Sequence, residues 1–173
     1  KGICTWSALE GVQVYRGERD RSGSPFLDFE VTDIIRDQAD NLWLGSNGGG
    51  MARWNPGSRV FAHLDARGGE PALSNPLVFS VLEDRLGRLW VGTLGGGLTR
   101  FADWRGGQPV RYGAERGFWG NRVSALFEDK SGTVWAGSER GLFRLDSGKA
   151  GFFHVLPPGE TKARMMVTHI GEG

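Results

Sequence analysis

Three features of the sequence predict an all-β protein, a β-propeller of four-stranded antiparallel blades. The first is glycine, 29 of 173 residues, more than twice the average use of about 7%. The second is an aromatic supply of 7 Trp and 10 Phe, too rich for a disordered chain. The third is an internal repeat that sets Trp43, Trp90 and Trp135 47 and 45 residues apart. A period of about 40–50 residues with four short strands per unit is the signature of a propeller blade. Helical repeats of that period would show a 3.6-residue apolar rhythm and few glycines.

The repeat aligns VTDIIRDQADNLWLGSNGGGMARW from Val31, VFSVLEDRLGRLWVGTLGGGLTRF from Val78 and VSALFEDKSGTVWAGSERGLFRL from Val123. Each Trp has an Asp six residues earlier (Asp37, Asp84, Asp129), a Gly two later (Gly45, Gly92, Gly137), and then a hydroxyl (Ser46, Thr93, Ser138). In the middle unit, Val78–Leu82 is an apolar run suited to an inner strand buried on both faces. EDRLG follows as a tight turn, with Asp84 accepting backbone N–H groups and Gly87 free to take positive φ. Arg88–Thr93 is the Trp-bearing second strand, and Gly95–Gly97 turn the chain into a third, Leu98–Phe101. A looser fourth strand lies near Val110–Tyr112, with counterparts at Val60–His63 and Phe152–Val155.

Fragments of the unit flank the repeat. VTHI from Val167 matches VTDI from Val31, and GVQVY from Gly11 matches GLFRL from Gly141. The expected organisation is one propeller segment: a partial blade over 1–30, blades over 31–77, 78–122 and 123–166, and the start of another at 167–173. Three units and two partial ones leave two arrangements. The chain is a fragment of a larger propeller, or its tail pairs with the N-terminal strands and closes a four-bladed ring. The fragment is favoured, because Lys1 begins mid-blade. An open fragment exposes strand edges and apolar blade faces, which invite self-association.

The repeated residues read as architecture. A flat indole buries about 150–250 Å2 between stacked sheets, and the Gly two residues on allows a close backbone approach. A sugar- or base-stacking role for the three Trp is weaker, since all recur at one blade position. Gly48–Gly50 and Gly95–Gly97 resemble phosphate loops only in composition; no helix pattern or Lys follows. The three Asp stand singly in separate blades, without the alternating oxygen ligands of a calcium loop, and DKSGTVW misses Asp-box spacing by one residue. His63, His154 and His169 fall at non-equivalent positions without metal-ligand spacing, and no nucleophile elbow occurs. No catalytic residue, metal or cofactor is therefore assigned.

Composition narrows the partners. With 21 basic and 20 acidic residues and a net charge of +1, the chain carries no electrostatic footprint for nucleic acid. Cys4 is alone, so no internal disulfide forms. No apolar run reaches the 18 residues of a membrane span, and KGICTWSALEG lacks a signal-peptide pattern.

Ligand residues are sought where the repeat breaks. The loops entering the inner strands differ (LSNPL at 73–77, FWGNR at 118–122, KARMM at 162–166), as do the turns at Asn47, Leu94 and Glu139–Arg140. In a propeller both loop types emerge on one face around the axis. Asn47, Asn75, Trp119, Asn121, Arg122, Glu139 and Arg140 are the candidate ligand-binding residues. Trp119, out of register with the packing Trp set and beside an amide and a guanidinium, suits a polar, ring-shaped or carboxylated ligand. Its alternative role is to cover the edge of its own blade.

The unit V-x-x-hydrophobic-x-E-D-x-x-G-x-hydrophobic-W-hydrophobic-G-T-x-x-G-G-hydrophobic resembles the two-component regulator propeller repeat. Segment 78–101 fits throughout, 123–145 drops one glycine, and 31–54 carries Arg36 for Glu and Asp40 for the turn Gly. The resemblance implies the extracytoplasmic sensor region of a bacterial hybrid histidine kinase, with seven-bladed propellers that recognise glycans or other environmental ligands. It implies a non-enzymatic module on the periplasmic or extracellular face of an inner-membrane protein. Its expected partners are a small-molecule or oligosaccharide ligand and the remaining blades and signalling domains of the parent protein. Two alternatives stay open: a propeller lyase or glycan hydrolase, for which Glu139, Arg140 and His169 would have to converge, and a protein-interaction scaffold.

Overall fold

The computed structural model describes residues 3–7, 11–15, 29–57, 60–64, 73–105, 107–146, 148, 150–159 and 165–171. Strands β1 (Ile3–Ser7) and β2 (Gly11–Tyr15) form an antiparallel hairpin. Three four-stranded antiparallel sheets follow, each in simple chain order. Blade one holds β3 (Val31–Arg36), β4 (Leu42–Ser46), β5 (Met51–Asn55) and β6 (Val60–Leu64). Blade two holds β7 (Val78–Glu83), β8 (Leu89–Thr93), β9 (Leu98–Phe101) and β10 (Val110–Tyr112). Blade three holds β11 (Val123–Glu128), β12 (Val134–Ser138), β13 (Gly141–Asp146) and β14 (Gly151–Val155). The only helical element among the described residues is a 3-10 turn at Ala114–Arg116. The inner strand β7 packs against both β3 and β11. The architecture is a β-propeller.

The second strand of blade two starts one residue later than expected because Arg88 belongs to the turn. Its N–H donates to Asp84 Oδ1 at 2.9 Å, as Leu86 N–H does at 3.0 Å. Asp37 and Asp129 accept the corresponding amides of Ala39 and Asn41, and of Ser131 and Thr133. Each carboxylate also accepts its own blade's indole: Trp43 Nε1 at 3.0 Å, Trp90 at 2.7 Å and Trp135 at 2.7 Å. The six-residue Asp-to-Trp spacing therefore sets a hydrogen bond that ties the turn to the packing residue, a link that the spacing alone did not disclose. Asp40 takes φ +62°, where Gly87 and Gly132 take +72° and +84°. Asp is among the few residues that tolerate the left-handed region, which is why blade one keeps its turn without the glycine.

The Glu of the E-D pair joins neighbours. Glu83 accepts Gln38 N–H of blade one at 2.6 Å, and Glu128 accepts Arg85 N–H of blade two at 2.8 Å. Each turn is thus fastened to the next.

Two apolar cores lie at the two blade boundaries. Trp43 packs with Val78, Val81, Leu89, Val91 and Phe101 of blade two; Trp90 packs with Val123, Val134, Phe143 and Phe152 of blade three. Both indoles are buried, whereas Trp135, facing away from blade two, is half-buried. The Gly after each Trp is needed for close approach. A Cβ on Gly45 would lie 2.7 Å from Val78 Cγ1, and on Gly92 2.6 Å from Val123 Cγ1. A Cβ on Gly137 would lie 2.6 Å from Val167 Cγ1. Hydroxyls close the same junctions: Thr32 Oγ1 donates to Val78 O, Ser80 Oγ to Val123 O and Ser124 Oγ to Val167 O. The tail, although no strand is assigned there, sets Val167 on blade three as Val78 and Val123 sit on blades one and two.

Candidate functional site

The glycine turns and the loops entering the inner strands share one face, as the antiparallel order requires. Leu94 N–H donates to Leu77 O within blade two. Gly48 and Gly50 N–H donate to Pro76 O, and Gly95 N–H donates to Asn121 O, each across a blade boundary. These turn amides are engaged in holding blades together rather than open to a phosphate. Asn47 is exposed, with its N–H on Glu30 O and a bridge to Leu77. Asn75 Oδ1 accepts Leu77 N–H at 2.9 Å and shapes the loop locally.

The remaining five candidates gather on blade three. Its turn is one residue shorter, and Glu139 fills the gap by accepting Asn121 N–H at 3.0 Å and Arg122 N–H at 2.8 Å. Burial pushes its carboxyl up, but those two amides and the Arg140 charge outweigh burial and hold it below the usual Glu range. Glu139 is therefore a loop brace, with both oxygens engaged. The Arg140 side chain is 65% exposed, its Nε 3.6 Å from Glu139 Oε1. The Arg122 guanidinium lies 4.8 Å from the centre of the Phe79 ring, a cation–π stack, with its Nε buried and unpartnered. Phe79 stands at the inner-strand position that Thr32 and Ser124 hold in the other blades, and Ser80 takes over their hydroxyl bond to the next blade.

Trp119 is 47% exposed. It meets Phe143 edge-on at 5.3 Å and His154 at 5.4 Å, so it covers blade three's outer strands and still offers surface. His154, which has no metal-ligand spacing in the sequence, pairs opposite Phe143 and shares a 2.9 Å hydrogen bond with Arg140 O. The signal that could have found it is the β13–β14 register, which carries it to the Trp119 end of the sheet. His169 is exposed in the tail. Residues 162–164 of the third variable loop lie outside the described residues.

The profile of the two component regulator propeller family matches residues 72–95 and 117–140, the loop, inner strand, turn and Trp strand of blades two and three. Those two stretches match the two-component regulator propeller repeat. Residues 31–54, which depart from the repeat at Arg36 and Asp40, lie outside the matched stretches. No curated protein matches the chain. Among solved structures, it is similar to the extracellular domains assigned to two hybrid two component systems of B. thetaiotaomicron. One is 21% identical with a TM-score of 0.72, over 98% of this chain and 22% of the other. The second is 20% identical with a TM-score of 0.67, over 87% and 20%. It is also similar to PorZ, a surface component of the type-IX secretion system of Porphyromonas gingivalis, at 18% identity and TM-score 0.68, over 98% and 27%. The chain thus spans 20–27% of the length of those chains.

Proposed function

We propose that the chain is a stretch of the ligand-sensing propeller of a bacterial two-component receptor, exposed on the periplasmic or extracellular side, and that it binds without catalysing a reaction. The repeat match in two adjacent blades carries this reading. The surface that fits it is the glycine-turn face of blade three. There Trp119 offers an exposed ring and Asn121 an exposed side chain on the loop that Glu139 braces, and Arg140 offers an exposed guanidinium from the adjoining turn. Such a rigid aromatic platform with convergent polar groups suits a polar ring-bearing ligand, an oligosaccharide or a small carboxylated molecule. The enzyme alternative needs a free acid–base group among these residues, and the Glu139 carboxylate is engaged with two amides. A screen of oligosaccharides and small acids by calorimetry, with product analysis of every hit, tests the proposal. Saturable binding with the ligand recovered intact supports it; turnover of a bound ligand overturns the non-enzymatic reading.

A further inference from the structure

The opposite face holds a second feature that the ligand-face reading does not use. The connection between β9 and β10 spans residues 102–109, whereas the corresponding connections in blades one and three span 56–59 and 147–150. The extra residues bring Trp104 and Arg105 over the boundary between blades one and two. Beneath them is a cavity of about 280 Å3 lined by Asp37, Trp43, Arg53, Glu83, Asp103, Trp104 and Arg105, among others.

The lining is unbalanced in hydrogen bonding. Asp37 Oδ1 accepts Ala39 N–H, Asn41 N–H and Asn41 Nδ2, and its Oδ2 accepts Asn41 Nδ2 and Trp43 Nε1. Glu83 accepts Gln38 N–H. Among the donors, the Arg53 Nε is unmet. Arg53 has a side chain only 15% exposed, its Nε is 3.7 Å from Asp37 Oδ2, beyond hydrogen-bond reach, and that Nε is buried without a partner. The guanidinium is fixed by aromatic contact instead, 5.8 Å from the centre of the Trp43 ring and 5.0 Å from that of Trp104. Arg105 lies 4.7 Å from the same Trp104 ring, and Trp104 stands edge-on to Trp43 at 5.1 Å. One indole therefore braces two guanidinium groups at the wall of one cavity. A buried guanidinium Nε without an acceptor is costly, and carboxylate, sulfate and phosphate oxygens match the guanidinium fork.

We propose that this cavity is a binding site for a small oxyanion-bearing ligand, a carboxylate or a sulfo or phospho group held by Arg53 and Arg105. It is separate from the Trp119 face and stands or falls without it. Calorimetry on the whole chain at constant ionic strength, with sulfate, phosphate and benzoate as probes and benzamide as the neutral counterpart, tests it and separates the anion sources. Saturable binding of at least one anion, no binding of benzamide, and weakening by about ten-fold or more in Arg53→Gln and in Arg105→Gln are expected, as for lost charge-assisted hydrogen bonds. Arg144→Gln, an exposed arginine of blade three outside the cavity lining, should bind as wild type. Absence of anion binding, equal binding of benzamide, or unchanged affinity in the arginine variants overturns the proposal. Should Arg53→Gln fail to fold by circular dichroism, the exposed Arg105→Gln decides alone.

Discussion

Trp90 offers the sharpest test of how the blades are joined. It is fully buried, with Tyr112 at 5.4 Å, Phe152 of blade three at 6.1 Å, and the Arg88 and Arg100 guanidinium groups each 5.7 Å from its ring centre. An indole buries about 150–250 Å2, which at about 25 cal/mol per Å2 corresponds to about 4–6 kcal/mol as an upper bound. Measured large-to-small core substitutions cost about 3–5 kcal/mol, and Trp90→Ala should fall in that range. For a chain of this size the melting temperature should drop by about 6–20 °C. Trp90→Phe keeps most of the ring but deletes the 2.7 Å bond to Asp84, and should cost about 1.5–3 kcal/mol. Trp135 makes the same bond to Asp129 yet is only half-buried, so Trp135→Ala should cost about half as much as Trp90→Ala. Urea unfolding followed by far-ultraviolet circular dichroism measures all three. Trp90→Ala within about 1 kcal/mol of wild type, or Trp135→Ala as damaging as Trp90→Ala, would refute the inter-blade packing role.

Gly92→Ala should destabilise by about 1–3 kcal/mol through overpacking against Ser80 and Val123, which the same unfolding assay measures. Acidification should weaken the turns. The Ser131 hydroxyl, the Trp135 indole and the turn amides hold the Asp129 carboxyl well below its usual range. Burial pushes Asp37 up, but its bonds to Asn41, Trp43 and Ala39 outweigh burial and lower it. Both groups bind protons more weakly when folded, so the stability they contribute is whole above pH ~4 and is lost as the pH falls below it. An acid titration of near-ultraviolet circular dichroism should show that loss, shallower in Asp129→Asn. Finally, Glu139→Ala should leave the blades intact but speed hydrogen exchange at the Asn121 and Arg122 amides, which unchanged protection would contradict.

Fold and site were legible in the sequence to different depths, for a physical reason. Strand order, the turns and the role of Gly45, Gly92 and Gly137 recur in every unit, and a repeated constraint leaves a repeated residue. The partners of those residues were not visible. The sequence marks Asp84 as a turn former, yet its carboxylate also anchors an indole, and the Glu of each E-D pair fastens a neighbouring turn. Both bonds join residues whose spacing is regular but whose side-chain direction only the folded sheet sets. The site was legible as a face rather than as contacts. Loop variation pointed to Trp119, Asn121, Arg122, Glu139 and Arg140, and these do lie together. Glu139 nevertheless faces the protein, replacing turn length lost to a missing glycine. Trp104 carries no repeat signal, because it sits on a blade-two insertion outside the repeating unit.

The central claim is that blade three's glycine-turn face binds a ligand and leaves it unchanged. Tryptophan fluorescence titration with an oligosaccharide and small-acid library, repeated with Trp119→Ala and followed by chromatography of each incubated hit, tests it most directly. Saturable binding that Trp119→Ala weakens by about ten-fold or more, as for loss of an aromatic anchor, with the ligand recovered intact, is the predicted result. Binding untouched by that substitution, or a hit converted to product, would contradict it.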